Sequence, residues 1–91
     1  MSVLSAHETQ LSLAAYVQQR RKALKWSRAV LAERSTVPAP TIKKFETTGQ
    51  ISLRQLLLLW QCVDDLARLQ RLTHVHTDHP LPLTLAEVLA E

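Results

Sequence analysis

Apolar residues fall at three- and four-residue steps through Leu13, Val17 and Leu24, with Ala14 beside the first and Arg21 on the same face. That spacing predicts a helix over about residues 11–24, opened by Ser12 or Thr9 as N-cap. Ser27 precedes RAVLAER, where Val30, Leu31 and Arg34 stand one turn apart, which predicts a second helix ending near Arg34. STVPAP then breaks the pattern. Pro38 and Pro40 lie at the start of a third helix through TIKKFE, where the first-turn N–H groups are unpaired and proline is tolerated. Gly49 ends it, a residue suited to the left-handed conformation of a helix C-terminus. Ser52 caps a fourth helix, LRQLLLLWQCV, whose Leu53, Leu56, Leu57 and Trp60 form the expected buried face. Asp64 caps a fifth, DLARLQRL, with Leu66, Leu69 and Leu72 apolar. Trp26, Phe45 and Trp60 read as core, Cys62 as packing, and Tyr16 as a surface or interface residue.

Beyond Leu72 the pattern changes. THVHTDHPLPL has no helical period and reads as an extended arm, followed by the capping box Thr84–Glu87 and a short helix carrying Leu85, Val88 and Leu89. Such a helix is unstable alone, so with Leu81 and Leu83 it must cover part of this domain, a second copy or another protein. The chain divides into a helical domain over residues 11–72 and a C-terminal extension over 73–91.

Composition narrows the class. In 91 residues there is one glycine and 4% aromatics against 46% apolar residues, which favours an all-α fold over a β-sandwich with its glycine-rich turns. A chain of this size buries a modest share of its surface, so a dimer interface is expected to add to the core. The longest apolar run, Leu56 to Trp60, is too short for a membrane span. Cys62 is the sole cysteine, and the first ten residues lack a basic segment followed by an apolar one, so the expectation is a cytoplasmic protein without disulfides or signal peptide. Charge is unevenly placed: residues 1–50 hold eight basic groups against three acidic, residues 51–91 three against five. A basic half suggests a polyanion there and a different partner for the other half.

Catalysis and metal chemistry find no support in the residues. There is no glycine-rich phosphate loop, no pair of catalytic carboxylates and no Ser/His/Asp set, so no enzyme is expected. His74, His76 and His79 have loose spacing with no completing Cys, Asp or Glu pattern, so neither a metal nor a cofactor is expected.

Two short helices joined by a four-residue turn, inside a small basic all-α domain, form a helix-turn-helix pattern. The segment from Trp26 to Leu59 resembles the helix-turn-helix family of phage repressors and Cro, the XRE family. The matching residues are Trp26-Ser27, Leu31-Ala32, Val37, Ile42 and Phe45-Glu46, and with the first helix and Ser52-Leu53 the likeness covers roughly 11–72. It implies an all-α, five-helix lambda-repressor-like helix-turn-helix domain with a short C-terminal extension and helix. It also implies an ion pair between Arg21, late in the first helix, and Glu46, ending the third. Thr36 stands where the family has a turn glycine, so a strained or altered turn is expected.

The resemblance places Ala39, Pro40, Thr41, Lys43 and Lys44 against base edges in the major groove. Ala39 and Pro40 offer apolar contact only, so readout rests more on the lysines and on DNA shape. Arg28, Thr47, Thr48, Gln50 and Arg54 are the implied phosphate contacts. The run from Phe45 to Leu53, with the leucine-rich fourth helix and Asp-Asp-Leu after it, looks like HipB-type antitoxins. That likeness implies a homodimer on double-stranded operator DNA that restrains a HipA-like serine/threonine kinase toxin and represses its own operon. Leu66, Leu69, Leu81, Leu83, Leu85, Val88 and Leu89 are the expected dimer or partner contacts. Two alternatives stay open: a stand-alone phage-type repressor, and a protein-interaction adaptor whose helix-turn-helix has lost DNA binding.

Overall fold

The computed structural model describes residues 4–74, and within them the chain is all-helical with no strand. Five helices follow in order: α1 (Ala6–Ala23), α2 (Arg28–Ser35), α3 (Ala39–Thr48), α4 (Leu53–Val63) and α5 (Leu66–Gln70), with a closing 3₁₀ turn at Arg71–Thr73. Among the described residues no helix is long and apolar enough to cross a membrane. The Thr84–Glu87 capping box, His76, His79 and the expected contacts Leu81, Leu83, Leu85, Val88 and Leu89 lie outside the described residues.

Capping chemistry sets most boundaries. Ser5, rather than Ser12 or Thr9, opens α1: its hydroxyl accepts from the Glu8 amide at 3.0 Å, and Thr9 lies inside the helix, donating to the Ser5 carbonyl at 2.9 Å. The S-x-x-E spacing of a capping box thus adds a first turn with no apolar period to announce it. At the other end Lys25 takes the left-handed conformation at φ 61°. The Trp26 amide reaches back to Arg21 O at 3.1 Å and the Lys25 amide to Lys22 O at 2.9 Å, a Schellman closure with lysine where glycine is usual. Ser27 and Ser52 cap α2 and α4 through the Val30 and Gln55 amides, each at 3.1 Å. Asp65, not Asp64, caps α5 through the Ala67 amide at 2.9 Å; Asp64 ends α4 and is drawn instead to Tyr16 and Arg68.

Ala14 and Val17 of α1, Leu31 of α2, Val37, Ile42 and Phe45 around α3, and Leu59, Trp60 and Val63 of α4 make one buried core. On α4 the expected face is displaced. Leu59, Trp60 and Val63 are buried and Leu56 packs against them, whereas Leu53 is 72% exposed and Leu57 also faces solvent. Five consecutive apolar residues offer more than one face, and the packing of α1 and α2 on α4 selects among them. In α5 no residue is buried. Leu69, expected as an interface residue, leans on the chain's own core, while Leu66 and Leu72 remain exposed.

α5 is tied on by polar contacts. Trp60 Nε1 donates to the Asp65 carbonyl at 3.0 Å, and Arg20 Nε donates to the Val63 carbonyl at 2.9 Å. The Tyr16 hydroxyl donates to Asp64, and Arg68 reaches both Asp64 Oδ2 at 2.7 Å and the Tyr16 oxygen at 2.8 Å. The Tyr16 ring stacks on Trp60 with centroids 5.2 Å apart. The Tyr16 hydroxyl first, then the Asp65 amide and the Arg68 and Arg20 charges, hold the Asp64 carboxyl below its ordinary range against its desolvation.

The link between α2 and α3 is three residues, 36–38, because α2 runs on through Ser35. Thr36 sits in the left-handed region at φ 66°, as its place in the turn demands, and buried Ser35 steadies the turn by accepting from the Val37 amide at 3.1 Å. A left-handed β-branched residue costs about 1–2 kcal/mol, which glycine avoids at an entropic cost of roughly half that. Thr36→Gly is therefore expected to stabilise the domain by about 0.5–1 kcal/mol, a rise of several degrees in Tm. Thermal unfolding followed by circular dichroism tests this; an unchanged or lower midpoint means that the Thr36 hydroxyl's bond to Ser35 O outweighs the strain.

Candidate nucleic-acid interface

α3 has two unlike faces. Ile42 and Phe45 point into the core and hold the helix down. Pro40, Lys43, Lys44 and Thr47 are exposed on the opposite side, at the three- and four-residue steps that bring side chains onto one helix face. Ala39 and Thr41 are half-buried at the helix start. A shallow depression lined by Pro40, Thr41, Lys44, Gln50, Ile51 and Gln55 joins the first turns of α3 to the loop before α4. The structure thus brings Pro40, Thr41, Lys44 and Gln50 together. Exposed Arg54 lines a second shallow groove on α4, with Leu53 and Leu57.

The start of α3 has little free hydrogen-bonding capacity. Pro38 stands at the N-cap without a side-chain bond, Pro40 has no amide hydrogen, and the Thr41 and Ile42 amides both turn back to the Pro38 carbonyl at 3.0 and 3.1 Å. At the other end, Thr47 donates to the Lys43 and Lys44 carbonyls at 2.9 and 3.1 Å, and Thr48 donates to Lys44 O at 2.6 Å while accepting from the Gln50 amide at 3.1 Å. Both hydroxyl protons, expected to meet phosphates, are spent on the helix's own carbonyls. Lys43 and Lys44 keep their donors free to point outward on this face.

Beneath α3 lies a charged lock. The Glu46 side chain is fully buried and its carboxylate receives Arg21 through Nε at 2.7 Å and Nη2 at 3.1 Å, so the ion pair implied by the resemblance is formed. Arg21 Nη1 also donates to the Trp26 carbonyl at 2.8 Å, fixing the chain where it enters α2. Arg28, read from sequence as a phosphate contact, donates through Nε to Glu46 Oε1 at 2.9 Å. Burial, the largest single influence, pushes the Glu46 carboxyl up, but the hydrogen bonds and charges of Arg21 and Arg28 together outweigh it and hold the group below its ordinary value. Every buried side-chain nitrogen and oxygen among the described residues has a partner.

At Glu46 and Gly49, three contacts were not foreseen from sequence. Arg28 joins Glu46 across 18 residues, Gln18 Nε2 adds a long bond to Glu46 Oε1 at 3.4 Å, and Gln10 Nε2 donates to the Gly49 carbonyl at 3.3 Å. No local spacing links these partners, so only the fold reveals them. Trp26 is half-buried, with the Arg34 guanidinium 4.5 Å above its ring. Cys62 is half-buried too, and burial pushes its thiol up more strongly than the Arg34 charge lowers it. Among the described residues no group of His, Cys, Asp and Glu is placed to hold a metal ion.

Comparison with protein families, with curated proteins and with solved structures finds no match for this chain.

Proposed function

We propose that the chain is a sequence-specific DNA-binding protein of the helix-turn-helix type, with α3 as the helix that enters the major groove. The observation that carries this reading is the two-faced α3: a core face fixes it against α1 and α2, and an outward face presents Lys43 and Lys44. A basic helix held rigidly at the surface suits a polyanion, because bound phosphates displace condensed counterions. On this reading the protein acts as a homodimer on a palindromic operator, with half-sites about 34 Å apart. The likeness of residues 45–53 to HipB-type antitoxins extends the proposal: the protein represses its own operon and restrains a HipA-like kinase in the cytoplasm. α5 and the 73–91 extension then supply the dimer or toxin contact.

The direct test is a gel shift with the DNA upstream of the chain's own gene. Lys43→Ala combined with Lys44→Ala is expected to weaken binding about 30-fold or more, since each base or phosphate contact is worth roughly 1 kcal/mol or above. Far-ultraviolet circular dichroism should stay helical, both side chains being exposed. Unchanged operator affinity in the double variant overturns the role given to α3. Co-purification of a kinase-like protein encoded beside the gene tests the antitoxin half.

A second reading, a protein-interaction adaptor, is favoured by the apolar Ala39-Pro40 start of α3 and by the inward hydroxyls of Thr47 and Thr48. It differs in its response to salt. An adaptor's partner binding is insensitive to ionic strength, whereas DNA affinity falls steeply as salt rises.

A further inference from the structure

Arg21 already meets Glu46 with two bonds. It spans both carboxylate oxygens, and its remaining Nη1 is fastened to the Trp26 carbonyl. Arg28 adds a second cation to one buried carboxylate, leaving the cluster with a net positive charge. That charge sits in the first turn of α2, the positive end of the helix, where a cation is electrostatically unfavourable. One arginine already balances the single negative charge of Glu46, and the helix dipole does not call for a second cation there. The bond to Glu46 uses Nε only, and among the described residues Arg28 makes no other side-chain hydrogen bond. Its side chain is 36% exposed, whereas that of Glu46 is wholly buried.

We infer that Glu46 is a positioning residue for Arg28: the buried carboxylate grips the guanidinium by Nε and leaves its Nη donors for a phosphate oxygen of the nucleic-acid backbone. The inference rests on the DNA-binding reading above and gives Glu46 a part in it beyond its bond to Arg21. An arginine serves two anions at once because its donors lie on separate edges of a rigid plane; a lysine carries the same charge on one point and serves one anion or the other.

The test is the salt dependence of binding by the full chain, measured between 50 and 200 mM salt. Two duplexes serve as probes, one from upstream of its own gene and one of mixed sequence. Each phosphate contact contributes about 0.9 to the slope of log affinity against log salt. Arg28→Ala and Arg28→Lys are each expected to lower the slope by about 0.9, shrinking the affinity ratio across that range by about 3.5-fold on both duplexes. Glu46→Gln, measured where circular dichroism shows it folded, is expected to lose the same increment. A wild-type slope in Arg28→Lys, or in folded Glu46→Gln, overturns the inference and leaves DNA binding standing. Should the wild-type chain bind neither duplex in a salt-dependent way, the DNA-binding reading falls and the inference with it. Arg28→Lys decides the matter if Glu46→Gln does not fold.

Discussion

Glu46→Ala is expected to destabilise the domain by about 3–5 kcal/mol, the cost of removing one partner from a buried ion pair. The loss falls mainly on Arg21, whose side chain is only 9% exposed and would keep its charge with no anion beside it. Arg28 is more accessible, so water screens its charge and it adds little to the cost. Domains of this kind are stable by roughly 5–15 kcal/mol in total, so the variant should be close to unfolding at ambient temperature. Glu46→Gln keeps the shape and one acceptor and should lie at the lower end of the range. Urea unfolding at neutral pH reads the difference directly. A midpoint equal to that of the wild type would mean that the carboxylate adds nothing to the fold.

The same pair sets an acid limit. Folding lowers the Glu46 carboxyl below its ordinary value of 4.5. The unfolded chain therefore takes up this proton first as pH falls, and stability that is fully present above that value is lost as pH drops through the folded one. The wild type should thus show a declining acid limb below about pH 4.5 that is flatter in Glu46→Gln. Parallel limbs in the two proteins would assign the acid sensitivity to other carboxylates.

Gly49→Ala is expected to cost about 2–5 kcal/mol, from two causes that add. Gly49 ends α3 in the left-handed conformation at φ 78°, which an L-residue adopts at a cost of roughly 1–2 kcal/mol. A Cβ there would also stand 3.0 Å from Gln10 Cβ, 3.1 Å from Gln10 C and 3.2 Å from Leu11 N. Two of those three atoms are α1 backbone and cannot swing aside, so the helices must part, and overpacking of this kind costs about 1–3 kcal/mol. Gly49→Asn tolerates the left-handed angle better but meets the same atoms, so comparing the two variants by denaturant unfolding separates strain from collision. Equal stability of Gly49→Ala and wild type would show that α1 gives way freely at Gln10.

What the sequence disclosed follows from the range over which each interaction acts. Ser27, Ser52 and Gly49 mark helix ends through bonds to residues within a few positions, and the helices begin and end there. Ser5 and Glu8 carry the same kind of signal, but residues 6–12 have no apolar period to draw attention to it, so α1 is longer than its hydrophobic pattern suggests. Asp64 and Asp65 are equally good caps in isolation; the contact of Asp64 with Tyr16, 48 residues away, decides between them. The buried face of α4 was ambiguous for the same reason, since Leu56 to Trp60 are all apolar and only the neighbouring helices choose. In the candidate site both the exposed lysines and the Arg21–Glu46 pair were legible through resemblance. The second arginine on Glu46 was not, because it depends on how α2 is laid against α3.

The lock between Arg21 and Glu46 also has a history within the making of each molecule. Arg21 leaves the ribosome 25 residues ahead of Glu46, an interval of about 1–5 s at ordinary rates of synthesis. During that wait α1 is a solitary helix of 18 residues, long enough to flicker into shape but unable to hold it. Its Ala14 and Val17 have nothing to lean on until α3 and α4 emerge. The guanidinium therefore stays in water until its carboxylate arrives, and the core that covers α1 closes only once α3 and α4 have both emerged.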